Sequence, residues 1–168
     1  MKLFSIKFII IILLSFSNTS YANNFSVEYS VKTSGIEIGK FSWFLKVKNK
    51  KYETEINLKN SGFFSSFYKF EGKYISDGII KNDKFKAQNY KQYWKTKKKT
   101  KVVEMSFNNY LTKLLQKPEE KELSRINLFE LFNYNDPLSS FLNIISGSNE
   151  SKTVDGRRVY IMKKNDFN

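Results

Sequence analysis

Two arginines and a tyrosine close to the end of the chain form the segment best suited to binding chemistry. The segment Asp155–Tyr160 (DGRRVY) opens with an Asp-Gly pair, which is typical of a tight turn between antiparallel strands. We interpret Arg157, Arg158 and the residues up to Tyr160 as the start of a strand, so that the two arginines face opposite sides of a sheet. One inward arginine could bind a phosphate or carboxylate through paired hydrogen bonds. The alternative is that Asp155 and an arginine only tie the turn, with Gly156, to the sheet.

A second candidate lies where a lysine run follows an aromatic stretch. Residues 96–101 (TKKKTK) come directly after Tyr90, Tyr93 and Trp94. Aromatic rings beside cations can stack on a sugar or hold an anionic ligand. The simpler interpretation of the run is a solvated hairpin tip. The candidate ligand-binding residues of the whole chain are therefore Tyr90, Trp94, Arg157, Arg158 and Tyr160.

Histidine and cysteine are both absent from the 168 residues. Their absence removes the usual general base, the thiol nucleophile and the common zinc ligand sets. The acidic residues are scattered over predicted solvent-facing positions, where Glu53 and Glu55 are two apart on one strand. We therefore expect no enzyme: no catalytic residues, no cofactor and no metal site.

One short helix is the element that must hold the C-terminal candidates against the rest of the chain. Asp136 can cap free backbone N–H groups, and Pro137 suits the first helical position. Gly147 lies where a helix ends in a left-handed residue, so the helix is predicted over about 136–146. The apolar side chains at helical spacing, which share one predicted face, are Leu138, Phe141, Leu142 and Ile145. A helix this short is marginal alone in water, so it must dock on a sheet.

The rest of the chain after the first 22 residues alternates apolar and polar residues, as half-buried strands do. The clearest strands are 25–32, 36–48 and 52–59, and seven to nine are predicted before the helix. Short strands at regular spacing favour a sandwich or a barrel. We expect a mainly β domain at residues 23–168: a curved antiparallel sheet or open β-barrel, with the helix on its concave face.

The first 22 residues have the features of a secretory signal peptide. Lys2 and Lys7 precede an apolar stretch, and Ser20-Tyr21-Ala22 is a small-x-small cleavage sequence. A retained membrane anchor is the alternative, but a spanning helix needs about 20 apolar residues and this stretch is shorter. We expect cleavage between Ala22 and Asn23 and a periplasmic location.

The charge of the chain is strongly positive, at +13, and removing Lys2 and Lys7 would leave +11. A basic exported protein could bind anionic lipid, glycolipid or an acidic envelope glycan. Arginine occurs only three times among 29 basic residues, however, and lysine can serve as a general solubilising residue. Nucleic acid is not an expected partner, since an exported protein rarely meets it and no recognition motif is present.

Several segments together resemble an uncharacterised family of exported Gram-negative proteins, domain-of-unknown-function family 3108. The matching segments are 29–31, 35–39, 90–94, 136–140 and, above all, 155–160. The resemblance implies an exported, mostly β-structured domain and supplies no activity, cofactor or catalytic residue. Family members continue for several strands beyond the last segment, so the resemblance implies either a C-terminally short fragment or a last strand at an unprotected edge.

Two functions follow as expectations. The first is non-enzymatic binding of an amphipathic envelope component, such as lipid or glycolipid, in the aromatic interior. The second is a structural or protein-interaction module of the envelope that uses a sheet edge. An internal cavity of several hundred Å³ would favour binding, and a solid core would favour the interaction module.

Overall fold

A computed structural model describes residues 23–62, 64–119 and 127–167 of the chain. The predicted signal peptide lies outside the described residues. Nine strands alternate with short turns: β1 Asn23–Thr33, β2 Ile36–Lys48, β3 Lys51–Asn60, β4 Phe70–Lys81, β5 Lys84–Thr96, β6 Thr100–Asn108, β7 Tyr110–Lys117, β8 Glu150–Val154 and β9 Val159–Lys163. The helices are α1 Phe64–Phe67 and α2 Pro137–Ile145, with short 3-10 turns at Leu128–Glu130 and Lys164–Phe167.

The first seven strands form one antiparallel sheet in chain order, from β1 at one edge to β7 at the other. Tight turns join most neighbouring strands, whereas α1 lies between β3 and β4. Both residues of the turn pairs Asn49-Lys50 and Asn82-Asp83 have positive φ. That conformation matches the twist of the strands it connects. The sheet does not close into a barrel, so the prediction of a mainly β domain with an open antiparallel sheet is confirmed.

A β-bulge sets which side chains of β5 face inward. Asp77 pairs with Asn89 and Gly78 pairs with Ala87, so Gln88 has no direct partner on β4. An extra residue reverses the alternation of side chains along the strand. Ala87 and Tyr90, three residues apart, are therefore both buried in the same cluster.

The helix α2 begins and ends as its sequence predicts. Asp136 accepts hydrogen bonds from the N–H groups of Leu138 and Ser139, and Pro137 occupies the first helical position. At the other end Gly147 has φ of 107°, and the N–H of Ser148 donates to the carbonyl of Asn143. This left-handed termination satisfies carbonyls that the last turn leaves open.

The predicted buried face of α2 is wrong in one residue. Ile145 is 53% exposed, whereas Ile144 is 4% exposed and packs inward. The buried side of the helix also carries the polar residues Ser139, Ser140 and Asn143. The hydrophobic spacing identified the helix but missed this polar side, because residues that hydrogen-bond to the sheet leave no apolar signal in the sequence.

The β8–β9 hairpin packs next to α2, and its turn differs from the prediction. β9 begins at Val159 rather than at Arg157, so both arginines lie in the turn and strand alternation does not separate them. Gly156 has φ of 85°, while the Asp155 carboxylate accepts hydrogen bonds from the N–H groups of Arg157 and Arg158 at 2.8 and 2.7 Å. The side chain of Asp155 thus shapes a four-residue turn in place of the expected two-residue one.

Candidate functional site

The inner face of the sheet, on which α2 lies, is the best candidate for a functional surface. Pairing across the strands divides its side chains into rows. One row consists of Thr54, Ser76 and Tyr90, and a neighbouring row contains Tyr52 and Gly78. These rows lie under α2 and are called the covered face.

A network of hydroxyl groups and one carboxylate fixes α2 to the covered face. The Tyr52 hydroxyl and the Ser139 hydroxyl are 2.5 Å apart, and Ser76 Oγ is 2.9 Å from Ser139 Oγ. Ser76 also donates to Asp136 Oδ2 at 2.8 Å, and Ser139 donates to the same oxygen. Each of these polar groups is buried and has a partner, so the helix is held in one position rather than by apolar contact alone.

Burial changes the acidity of this network. Asp136 is fully buried, and the loss of solvation raises the pKa of its carboxyl to about 6, although hydrogen bonds from Ser139 and Ser76 oppose that rise. Burial also raises the pKa of the Tyr52 hydroxyl, and the Asp136 charge adds to that effect. The network therefore contains a carboxyl that titrates between its ordinary value and neutrality.

Two asparagines attach the α2 segment to the backbone of β5. Asn143 Oδ1 accepts from the Phe85 N–H at 2.7 Å, and Asn143 Nδ2 donates to the Phe85 carbonyl at 2.8 Å. Asn135 Oδ1 accepts from the Ala87 N–H at 3.1 Å. These contacts leave little freedom for the covered face to open without losing buried hydrogen bonds.

The other part of the inner face is different, because its central row has no such network of buried hydrogen bonds. The cross-strand partners of this row, which is called the open row, are Tyr29, Phe41, Leu58, Gly72, Trp94 and Lys101. Tyr29 is 57% exposed, and Phe41, Leu58 and Trp94 are half-buried. A row that is apolar over five strands and stays partly exposed is a candidate binding surface.

Gly72 lies in the open row, where aromatic rings pack over its backbone. Gly72 is buried, and a Cβ atom at this position would lie 3.1 Å from Tyr74 Cε2 and 3.3 Å from Phe70 Cζ. The Phe70 and Trp94 rings meet edge to face at 6.0 Å between centroids. The middle of the row is therefore a surface of packed rings.

Positive charge is found at the β6 end of the open row. Lys101 Nζ lies 5.6 Å from the centroid of the Trp94 ring. Burial raises the pKa of the Tyr74 hydroxyl, and the charge of the Arg157 guanidinium partly opposes this rise. Gly156 packs against Val103, two residues along β6 from Lys101. The turn that holds Arg157 thus adjoins the cationic end of the row.

The five residues proposed from sequence do not form one cluster. Trp94 lies in the open row, and Arg157 is half-buried in the β8–β9 turn. Arg158 is exposed, and Tyr160 is partly exposed with a pKa raised to about 12 by burial and by the Asp155 and Asp136 charges. Tyr90 is 2% exposed and belongs to the core. A ligand role for these residues stays a prediction.

Sequence reasoning missed the residues that distinguish the two parts of the inner face. The hydroxyls of Tyr52, Ser76 and Ser139 come from distant segments, and the only available signal was polar residues at inward strand positions. The open row was missed as a unit, because its alignment depends on strand pairing. Tyr29, Phe41 and Leu58 were each visible only as inward residues of separate strands.

The two largest pockets described lie away from the open row, and the first of them reaches Tyr52 and Gly78 of the covered face. One, of about 530 Å³, is lined by residues such as Lys46, Lys48 and Glu53; the other, of about 520 Å³, is lined by lysines and asparagines where β4 and β5 meet. In the described part of the chain, no three acidic side chains come close enough to hold a metal ion. Nor does any helix in that part have the length and apolarity to span a bilayer.

The fold and the face define a β protein with an open seven-stranded sheet, one docked helix and a partly exposed apolar row. The family model described as a protein of unknown function (DUF3108) matches residues 24–162. The chain therefore belongs to that family, which confirms the resemblance noted in the sequence. The comparisons with curated proteins and with solved structures gave no match.

Proposed function

We propose that this protein is an exported, non-enzymatic binding protein for an amphipathic molecule with an acyl chain and an anionic headgroup. The open row would hold the acyl chain, and Lys101 with Arg157 would attract the headgroup. The observation that carries the proposal is the row from Tyr29 to Lys101, which is apolar over five strands and cationic at the sixth.

The apolar part of the row fits an alkyl chain by shape and by chemistry. Aromatic and branched side chains bury chain carbons without needing directed hydrogen bonds, at about 0.8 kcal/mol for each methylene group. The rings of Phe70 and Tyr74 close over the Gly72 backbone, so the middle of the row presents aromatic surface to a ligand. Because the row is open rather than enclosed, chains of different length would fit along it.

The cationic end supports an anionic headgroup. A lysine above an aromatic ring, as Lys101 lies above Trp94, presents its charge at the edge of an apolar surface. Arg157 offers the planar fork that binds phosphate or carboxylate through two hydrogen bonds. A periplasmic location, with cleavage after Ala22, is part of the proposal and would bring the protein to such lipids.

The two tryptophans provide a direct test. Trp94 lies in the open row, whereas Trp43 packs between Phe25 and the α2 residue Phe141, at centroid distances of 5.0 and 5.5 Å. Two single-tryptophan proteins, Trp43→Phe and Trp94→Phe, would be titrated with dibromostearate while their fluorescence is recorded. Bromine quenches only a nearby indole, so the fluorescence of Trp94 should fall strongly and that of Trp43 weakly.

Two controls complete this experiment. Stearate without bromine should cause no quenching, and circular dichroism should show that both single-tryptophan proteins keep their strands. Equal quenching of the two tryptophans would place the fatty acid elsewhere, and no quenching of Trp94 at all would refute the binding proposal.

A protein-interaction module is the second candidate function, because β1 is a long and exposed edge strand. This strand is 11 residues long, lies at the edge of the sheet, and ten of its residues are exposed. A long exposed edge can pair with a further strand. Sedimentation velocity over a wide concentration range would detect self-pairing through β1, and a monomer throughout would exclude that form of the module.

A further inference from the structure

The pocket of about 520 Å³ lies at the opposite end of the sheet from the open row and carries a second binding chemistry. It forms where the β4–β5 hairpin approaches the β6–β7 turn and the segment that precedes α2. Its volume lies within the usual range for small-ligand sites. Three lysines line it, and no aspartate or glutamate is among its lining residues.

The three lysines lie side by side because of strand register. Lys81 pairs directly with Lys84 across the hairpin, and Lys86 follows Lys84 on the same face of β5. Like charges placed opposite each other on a sheet are destabilising. No carboxylate in the described part of the chain forms a salt bridge with any of the three.

The mutual repulsion of the three lysines affects the pKa of Lys86. This side chain is half-buried, and the pKa of its ammonium group is lowered by burial first and then by the Lys84 and Lys81 charges. A bound anion would reverse both effects, since it compensates the lost solvation and separates the like charges electrostatically. The cluster is therefore a place where an anion would stabilise the folded protein.

The opposite wall of the pocket offers neutral hydrogen-bonding groups and rings. The asparagines lining this wall are Asn108, Asn109, Asn133 and Asn135, and the rings are Phe107 and Tyr134. Asn135 Oδ1 accepts from the Ala87 N–H, so this oxygen is already engaged. Amides bind hydroxyl groups in both directions, as donors and as acceptors. Phe107 is buried in the core, so the half-buried Tyr134 is the ring available to the face of a sugar.

We propose that this pocket binds a phosphorylated sugar, with the phosphate at Lys81, Lys84 and Lys86 and the hydroxyl groups at the asparagine wall. Three ammonium groups on one side and amides on the other match a ligand that is charged at one end and polyhydroxylated at the other. The site goes beyond the proposed lipid-binding role, because it lies on other residues and at the other end of the sheet.

The test is calorimetric titration of the full exported chain with fructose bisphosphate, beside inorganic phosphate and fructose. We expect the bisphosphate to bind more tightly than phosphate, and fructose not to bind measurably. The double variant Lys84→Gln/Lys86→Gln should weaken bisphosphate binding at least ~tenfold, because charge-assisted hydrogen bonds are lost. This variant relieves repulsion, so it should fold at least as well as the parent protein.

A matched variant separates a site from bulk charge. Lys32→Gln/Lys113→Gln removes two exposed lysines from β1 and β7 and should leave bisphosphate affinity unchanged. Equal loss in both double variants, or no binding by the parent, would overturn the proposal. Binding of inorganic phosphate as tight as that of the bisphosphate would also overturn it, since the asparagine wall would then contribute nothing.

The same chemistry occurs as a free sugar phosphate and as the headgroup of a phosphorylated glycolipid. Flotation with vesicles that contain phosphatidylinositol phosphate distinguishes these sources: binding to the soluble compound alone assigns a free sugar phosphate, and binding to both assigns a headgroup as well. Quenching of Trp94 by dibromostearate should be unaffected by Lys84→Gln/Lys86→Gln, so the two sites can fail independently.

Discussion

The covered face and the open row belong to the same strands, yet they hold what lies on them in opposite ways. Beneath α2 the sheet presents hydroxyl groups at Tyr52 and Ser76, and each meets a partner on or beside the helix. The open row presents Phe41, Leu58 and a glycine instead. Directed hydrogen bonds select one occupant in one position, whereas apolar contact tolerates many.

The comparison explains why a docked helix needs so little apolar surface. Leu138, Leu142 and Ile144 are buried, but the position of α2 is determined by Asp136, Ser139 and Asn143. A surface that must accept a variable ligand cannot use this strategy, because an unmatched buried hydroxyl is costly. Phe41, Leu58 and Gly72 of the open row carry no side-chain hydroxyl, which suits a transient occupant.

The largest difference in stability should appear between a truncated side chain at the covered face and one on the open row. Leu142 is 1% exposed, and Leu142→Ala should lower the free energy of unfolding by about 3–4 kcal/mol, since it leaves a cavity under α2. Tyr29→Ala on the open row should cost less than about 1 kcal/mol. Urea denaturation measures both. Similar losses for the two variants would mean that the open row is structural core.

The dependence of folding stability on pH provides the second test of the covered face. The folded pKa of Asp136, about 6, is above the ordinary value of 3.8, so the folded state binds more protons between these pH values. Stability should therefore increase as the pH falls from 7 towards 4, by up to about 3 kcal/mol from this group. Asp136→Asn keeps the cap and the shape but has no proton to gain.

The expected result is a difference between parent and variant that changes with pH. Glu55, whose pKa is lowered, acts in the opposite direction in both proteins and cancels in the comparison. Thermal melts at several pH values would measure the difference. Parallel pH profiles for the parent and Asp136→Asn would show that Asp136 does not carry the buried charge.

A smaller loss of stability is expected when alanine replaces either of two glycines that have positive φ. At Gly156 an added Cβ would lie 2.3 Å from Val103 Cγ1, whereas at Gly147 nothing lies within 4 Å. Gly156→Ala should cost about 2–3 kcal/mol through strain and overpacking, and Gly147→Ala about 1 kcal/mol through strain alone. Differential scanning calorimetry would compare them. Equal costs would mean that the β8–β9 turn is not packed on β6.

The smallest effect on stability should come from the turn arginines. Arg158 is exposed, and Arg158→Ala should change the free energy of unfolding by less than about 0.5 kcal/mol. Arg157→Ala should also leave the fold intact but reduce binding of dibromostearate, because Arg157 follows Gly156 in the turn that packs on β6 near Lys101. An equal reduction in both variants, removed by salt, would indicate bulk electrostatics instead.

Much of the fold followed from local patterns. Alternation predicted the strands, and Asp136, Pro137 and Gly147 predicted both ends of α2, because a cap and a left-handed residue act through the nearest backbone. The turn at 155–158 was mispredicted, since the Asp155 side chain binds two N–H groups and replaces the usual Asp-Gly geometry.

The candidate site could be predicted only in part, because it depends on register. The bulge at Gln88 brings Ala87 and Tyr90 to the same side, and neither residue type reveals that beforehand. Ser76 and Ser139 meet across 63 positions of the chain, so no local signal marks their contact. Trp94 was identified by its type, but its neighbours in the open row come from other strands.

The central claim is that the open row binds an amphipathic ligand, and native mass spectrometry of the protein tests it most directly. Leu58→Lys puts a charge in the middle of the row, and Thr100→Lys puts the same charge at an exposed position elsewhere on the sheet. We predict that the parent and Thr100→Lys carry the mass of a bound anionic lipid, and that Leu58→Lys, folded by circular dichroism, does not. A parent protein without lipid, or Leu58→Lys with the same lipid load, would contradict the account.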